Sequence, residues 1–198
     1  MSNIEKKSGE FAVKKITDIE NRIIKAFIKL LNTTDYSRIS VTSITKEAKV
    51  NRTSFYMYWD NVKDLARYLC VEYFIDQFDE LMGDDLTQMS HRDSIRRSYE
   101  FMDKNRDGIL GLWKIKEEDF QPYLIMQRSY YKMMMRKMIG NRNISREEMK
   151  KTDLFCHMVS ACTMATMEYF LYNEDQTVEK TVNEIMTAMH NGMVTLLD

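Results

Sequence analysis

Between Val41 and Trp59, the side chains of Thr42, Ser43, Arg52, Thr53, Ser54, Tyr56 and Tyr58 can donate hydrogen bonds while facing outward. Hydroxyls, phenols and guanidinium groups are the donors that bond phosphate oxygens and base edges. Arg52 has the fork that matches the O6/N7 edge of guanine, and is the candidate base reader. Thr42, at the start of a short helical pattern, would sit where backbone N–H groups also point at an anion.

These donors need a scaffold, and the residues between them supply one. Ile44, Ala48, Val50, Phe55 and Trp59 can all turn inward while the donors stay outside. That pattern builds two short helices at a steep angle, the second able to lie in a major groove. Upstream, Thr17-Asp18-Ile19-Glu20 forms a capping box. It opens a helix whose stripe is Ile23, Ile24, Phe27, Leu30 and Leu31 and which ends near Asn32-Thr33-Thr34. Ser40, Asn51 and Asn61 are good caps for the next three helices, the last running from Val62 to about Met82 and stopping at Gly83. Residues Met1 to Ile16 form a polar arm containing Lys6, Lys7, Lys14 and Lys15.

The remainder reads as helices too: Ser90 to Asn105, Ile109 to Ile115, Gln121-Pro122 to Gly140, Ser145 to about Tyr172, and Thr177 to Leu197. With one proline and six glycines in 198 residues there is little material for hairpins, so the fold class is all-α, about nine helices. Residues 1–63 carry 12 Lys and Arg against 7 Asp and Glu, and residues 64–198 carry 17 against 23. A basic head on an acidic body suits a chain whose N-terminal part meets a polyanion. No apolar run approaches the ~18 residues of a membrane span, and Met1 to Glu10 lack the apolar centre of a secretory signal. The three cysteines form no Cys-x-x-Cys pair, which fits a reducing, cytoplasmic setting.

Residues 20–65 resemble the DNA-binding domain of TetR-family transcriptional regulators. The matching elements are Ile23-Ile24-Lys25-Ala26-Phe27 in helix 1, Asp35-Tyr36 at the corner and Ser40-Val41 before helix 2. Ile44 to Val50, Asn51 to Trp59 and Leu65 follow without insertion. Three positions depart from the family pattern: Asp35 and Lys49 stand where glycine is usual, and Val62 where lysine is usual, with Lys63 one step on. The resemblance implies an N-terminal helix-turn-helix domain, residues 1–63, and a larger helical effector-binding and dimerisation domain, residues 64–198. It implies that Tyr56 and Tyr58 donate to phosphates, with Lys63 the remaining candidate for the phosphate contact at the start of helix 4. Double-stranded DNA, a second copy of the chain and a small-molecule effector would be the partners.

The body is rich in methionine and aromatic residues, which adapt to irregular cavities. Phe101, Trp113, Tyr123, Met126, Tyr130, Met134, Met164 and Met167 are the candidate effector contacts, suited to an apolar or aromatic ligand. Phe155, Val159, Cys162 and Thr166, with Val182, Ile185, Met189 and Met193, make stripes on the last two helices and are the candidate dimer interface. His91, His157 and His190 are far apart, and no phosphate loop or nucleophile elbow occurs, so the reading holds no catalytic residue, metal or cofactor. The expectation is a ligand-responsive homodimeric repressor of palindromic operators. Two alternatives stand beside it: a body that binds a protein instead, or a helical carrier or enzyme with an incidental helix-turn-helix.

Overall fold

The computed structural model describes residues 17–83 and 90–197, the last eight as backbone only. The expected basic arm, Met1 to Ile16, and the side chain of Met193 lie outside the described residues.

Helix α1 runs Asp18–Thr33. Its capping box forms: Thr17 Oγ1 accepts from Glu20 N at 3.1 Å, and Thr17 N donates to the Glu20 carboxylate at 3.3 Å. Ile23, Ile24, Phe27 and Leu31 are buried along its inner face. A 3-10 turn, Tyr36–Arg38, leads to α2 (Val41–Ala48), capped by Ser40, and then to α3 (Arg52–Tyr56), capped by Asn51. Asp35 has φ −57, so the corner before α2 needs no left-handed residue there. The left-handed step is Lys49, with φ 55. A Cβ in that region costs about 1–2 kcal/mol. Arg22 secures the turn, donating to the carbonyls of Ala48 and Lys49, each at 2.7 Å, and so satisfies acceptors that the end of α2 leaves open.

A single rod follows. It comprises α4 (Val62–Tyr68), a π-helical stretch (Leu69–Ile75) and α5 (Asp76–Met82), and stops at Gly83 with φ 62. The periodicity predicts a plain helix here; the wider π turns are not visible in it. The boundary drawn between residues 63 and 64 falls inside the first turn of this rod.

The body continues with α6 (His91–Lys104), α7 (Arg106–Trp113), α8 (Pro122–Ile139), α9 (Arg146–Tyr172) and α10 (Val178–Leu197). Counting the rod once, the described residues form nine helices and no strand beyond one isolated bridge, Glu117 to Phe120. Helix α7 begins three residues before the predicted Ile109 and takes in Gly108, where it meets the rod. A Cβ there would lie 2.6 Å from Phe74 Cζ. At Gly111 a Cβ would lie 2.8 Å from Leu31 Cβ, so α7 and α1 touch almost backbone to backbone. Asn32 Nδ2 adds a bond to the Asp107 carbonyl at 2.8 Å. One apolar core therefore runs from Ile24, Phe27 and Phe55 through Leu65 to Leu112, Met164 and Phe170.

Candidate nucleic-acid interface and effector cavity

The outer face of α2 and α3 is built from the caps upward. Asn51 Oδ1 accepts from Ser54 N at 2.7 Å and from Ser54 Oγ at 2.8 Å, which starts α3. Beneath it Phe55 is fully buried and Trp59 nearly so, with ring centroids 5.7 Å apart. Arg52, Thr53 and Tyr56 are left on the exposed side, with Thr42 beside them on α2. The hydroxyls of Thr42 and Thr53 have no partner among the described residues. Arg52 Nη2 donates to the Tyr56 hydroxyl at 3.3 Å, the spacing of one helical turn. Met57, which the sequence reading assigned no role, is 73% exposed on the same surface. Its only sequence signal was its place after the buried Phe55.

Four of the expected DNA contacts are turned to internal duty. Ser43 Oγ donates to the Ser40 carbonyl at 2.8 Å and accepts from Ser40 N at 3.0 Å, reciprocating the cap of α2. The Ser54 hydroxyl serves the cap of α3, as above. Tyr58 is half-buried against Trp59, and its hydroxyl sits 2.8 Å from Thr17 Oγ1. Lys63 Nζ reaches both carboxylate oxygens of Asp119 at 2.6 Å and lies 3.7 Å from Glu117, tying α4 to the loop after α7. The two serines follow from short reach, since a cap hydroxyl bonds the nearest backbone or cap group before solvent, whereas Tyr58 and Lys63 meet partners brought in by the fold.

The head is also fastened from behind. Glu20 is buried and accepts from the Tyr68 hydroxyl at 3.0 Å, joining α1 to α4. Burial first, then this bond to a carboxylate, pushes the Tyr68 phenol well above its usual value. Tyr36 is pushed up to about 12, chiefly by burial and next by the Glu117 carboxylate.

A cavity of about 210 Å³ lies in the body between the rod, α6, α7, α8 and α9. Six of the eight predicted contacts line it: Phe101, Trp113, Met126, Tyr130, Met164 and Met167. Tyr123 does not; it packs edge-on against Trp113 with centroids 5.1 Å apart. Met134 does not either, since its neighbour Met133 holds the inward position on α8. Phe74 and Phe78, one turn apart on the rod, line the cavity and were overlooked. Their i, i+4 spacing was the available signal. The Asp79 carboxylate accepts from Arg136 at 2.6 and 2.7 Å at the cavity wall. The Trp113 indole Nε1 donates to the Met126 sulfur at 3.1 Å.

No protein-family model matches the chain. It is 26% identical over 115 residues to the HTH-type dhaKLM operon transcriptional activator DhaS of Lactococcus lactis subsp. lactis (strain IL1403), a match covering 58% of this chain and 59% of that relative's length. Among solved structures, a dihydroxyacetone kinase operon activator DhaS superposes with TM-score 0.61 at 19% identity, over 88% of this chain and 96% of that one. A protein of Syntrophomonas wolfei str. Goettingen, assigned as a TetR-family transcriptional regulator, reaches TM-score 0.68 at 14% identity, over 90% and 95% of the two chains. A TetR transcriptional regulator from Streptococcus agalactiae 2603V gives 0.56 at 19% identity, over 88% and 95%.

The chain has the TetR-family fold.

Within this fold the last two helices carry an apolar face that none of the described residues covers. Leu154, Met158 and Tyr169 of α9 are 63%, 60% and 60% exposed, with Phe155, Cys162 and Tyr172 beside them. Met189 of α10 is exposed, and Val159 and Ile185 are partly buried. Thr166 is at the surface but accepts from the Tyr99 hydroxyl at 2.8 Å. Val182 corrects the expectation: it is fully buried within the chain, on the side of α10 that packs against α6, and is not available to a second copy. Among the described residues no group of three or more His, Cys, Asp or Glu could hold a metal ion, and no helix is long and apolar enough to cross a membrane.

Proposed function

We propose that the protein is a DNA-binding transcriptional regulator, acting in the cytoplasm as a homodimer and responding to a small apolar or aromatic ligand in the body cavity. The carrying observation is the exposed face of Arg52, Thr53 and Tyr56 on a helix whose back is immobilised by Phe55, Trp59 and the Asn51 cap. Arg52 reads a base edge; Thr42, Thr53 and Tyr56 donate to phosphates or bases. Two copies joined through the outward faces of α9 and α10 would set two recognition helices about 34–36 Å apart, one turn of duplex.

The cavity is placed to act on that spacing. Phe74 and Phe78 of the rod and Ile109 and Trp113 of α7 line it, while the rod's start and the other side of α7 hold the head. A ligand that favours a wider cavity shifts both elements and turns the heads out of register. Such coupling requires a difference in ligand affinity between two states, typically ~1–3 kcal/mol. Ligand-released repression is the reading this supports. Activation is the second reading, favoured by the relative named as an operon activator. Transcription in vitro from the selected promoter, with and without protein, separates the two.

The test is selection of bound duplexes from a random pool, followed by titration of the winner. Affinity should fall with salt at a logarithmic slope of about −0.9 per phosphate contacted. Arg52→Ala should lower discrimination at one base pair by ~1–3 kcal/mol. No enrichment of any palindrome at low salt, or a uniform loss on all sequences for Arg52→Ala, would defeat the proposal.

A further inference from the structure

We infer that the effector is a compact aromatic or apolar molecule bearing a carbonyl oxygen, and that this oxygen accepts the indole N–H of Trp113 in place of the Met126 sulfur. The inference rests on the reading of the body cavity as the effector site. Trp113 is 5% exposed, and its Nε1 has only the thioether of Met126 as partner, at 3.1 Å. A thioether is a weak acceptor. A buried donor in that condition gains when a true oxygen acceptor arrives, by more than the same bond would at a wet surface. Both residues stand in the cavity wall, and Met126, with its flexible side chain, can move aside at little cost. The rest of the lining is mainly Phe, Met and Ile, so the remainder of the ligand is apolar.

Size narrows the class. An apolar cavity of about 150 Å³ takes a benzene ring, so 210 Å³ suits one ring with a short substituent. The charged groups in the wall are Asp79, whose two carboxylate oxygens accept from Arg136 Nη2, Arg136 itself and Lys132; the donor at issue is the indole. A carbonyl at the indole need displace only the sulfur.

A matched pair of probes isolates the oxygen: acetophenone and isopropenylbenzene, which differ by C=O against C=CH₂. Binding to the full chain is followed by the two indole N–H resonances, Trp59 and Trp113 being the only tryptophans. Acetophenone should bind about tenfold more tightly. It should move the Trp113 indole proton downfield and leave that of Trp59 in place. Met126→Leu, which removes the competing sulfur, should widen the ratio. Trp113→Phe should bring the two affinities together while both probes still bind. Equal affinities for the natural chain, or an unmoved Trp113 indole with acetophenone bound, overturn the inference alone. Binding of neither probe at millimolar concentration overturns the cavity reading, and the inference with it.

Discussion

Lys49 shows how a single side chain can be held where glycine is the easy choice. Its φ of 55 carries the chain from α2 to α3, and Arg22 secures the turn from below. Replacing it relieves a contact between Cβ and backbone but frees the unfolded chain. Lys49→Gly should therefore raise stability by about 1 kcal/mol or less, read as a higher urea midpoint. A clear loss would show that the lysine side chain does more than tolerate the turn. Acid–base behaviour also belongs to this scale. Burial holds the Cys70 thiol and the Tyr36 phenol each up to about 12, and Tyr68 is raised by burial and by Glu20. These groups are neutral in the fold, with folded values above unfolded ones. Their contribution is whole below the ordinary values of 9.0 and 10.0 and is lost as pH climbs toward 12. The urea midpoint should thus be level near pH 8 and fall by pH 11, less steeply in Tyr36→Phe.

At the scale of elements, the seam between α1 and α7 is what ties head to body. Gly111 leaves no room for a methyl group, since Leu31 Cβ cannot swing away. Gly111→Ala should cost ~1–3 kcal/mol through overpacking, and calorimetry should show it as a lower melting temperature. A neutral result would mean the seam is loose. The seam also marks how far the sequence could be read. Thr17, Ser40, Asn51, Asn61 and Ser145 announced helix starts because a cap is a local bond, written within four residues. The buried pairing of Ile44, Phe55 and Trp59 was legible for the same reason. The π turn at Leu69–Ile75 and the inward choice of Met133 over Met134 were not, because neighbours distant in the chain decide them. The pairing of Lys63 with Asp119, 56 positions away, was out of reach of a local pattern for the same reason.

For the whole molecule, the exposed apolar face of α9 is where the proposed pairing can be tested. Met158 is 60% exposed in a stripe with Leu154 and Phe155. A carboxylate at its position would be buried unpaired in a paired structure, at a cost of several kcal/mol. Met158→Glu should give the mass of one chain by light scattering and weaken operator binding, with the helical circular dichroism unchanged. A persisting dimer would move the interface elsewhere. The continuous core has its own outcome. Trp59 and Trp113 belong to one apolar cluster, the first under α3 and the second in the cavity wall. The molecule thus carries a native optical reporter in each half. Emission from the two indoles, separated by replacing one at a time, should shift together along a single unfolding curve. An isolated fragment ending at residue 63 would strand Ile28 and Leu31 in water and emit like a denatured peptide.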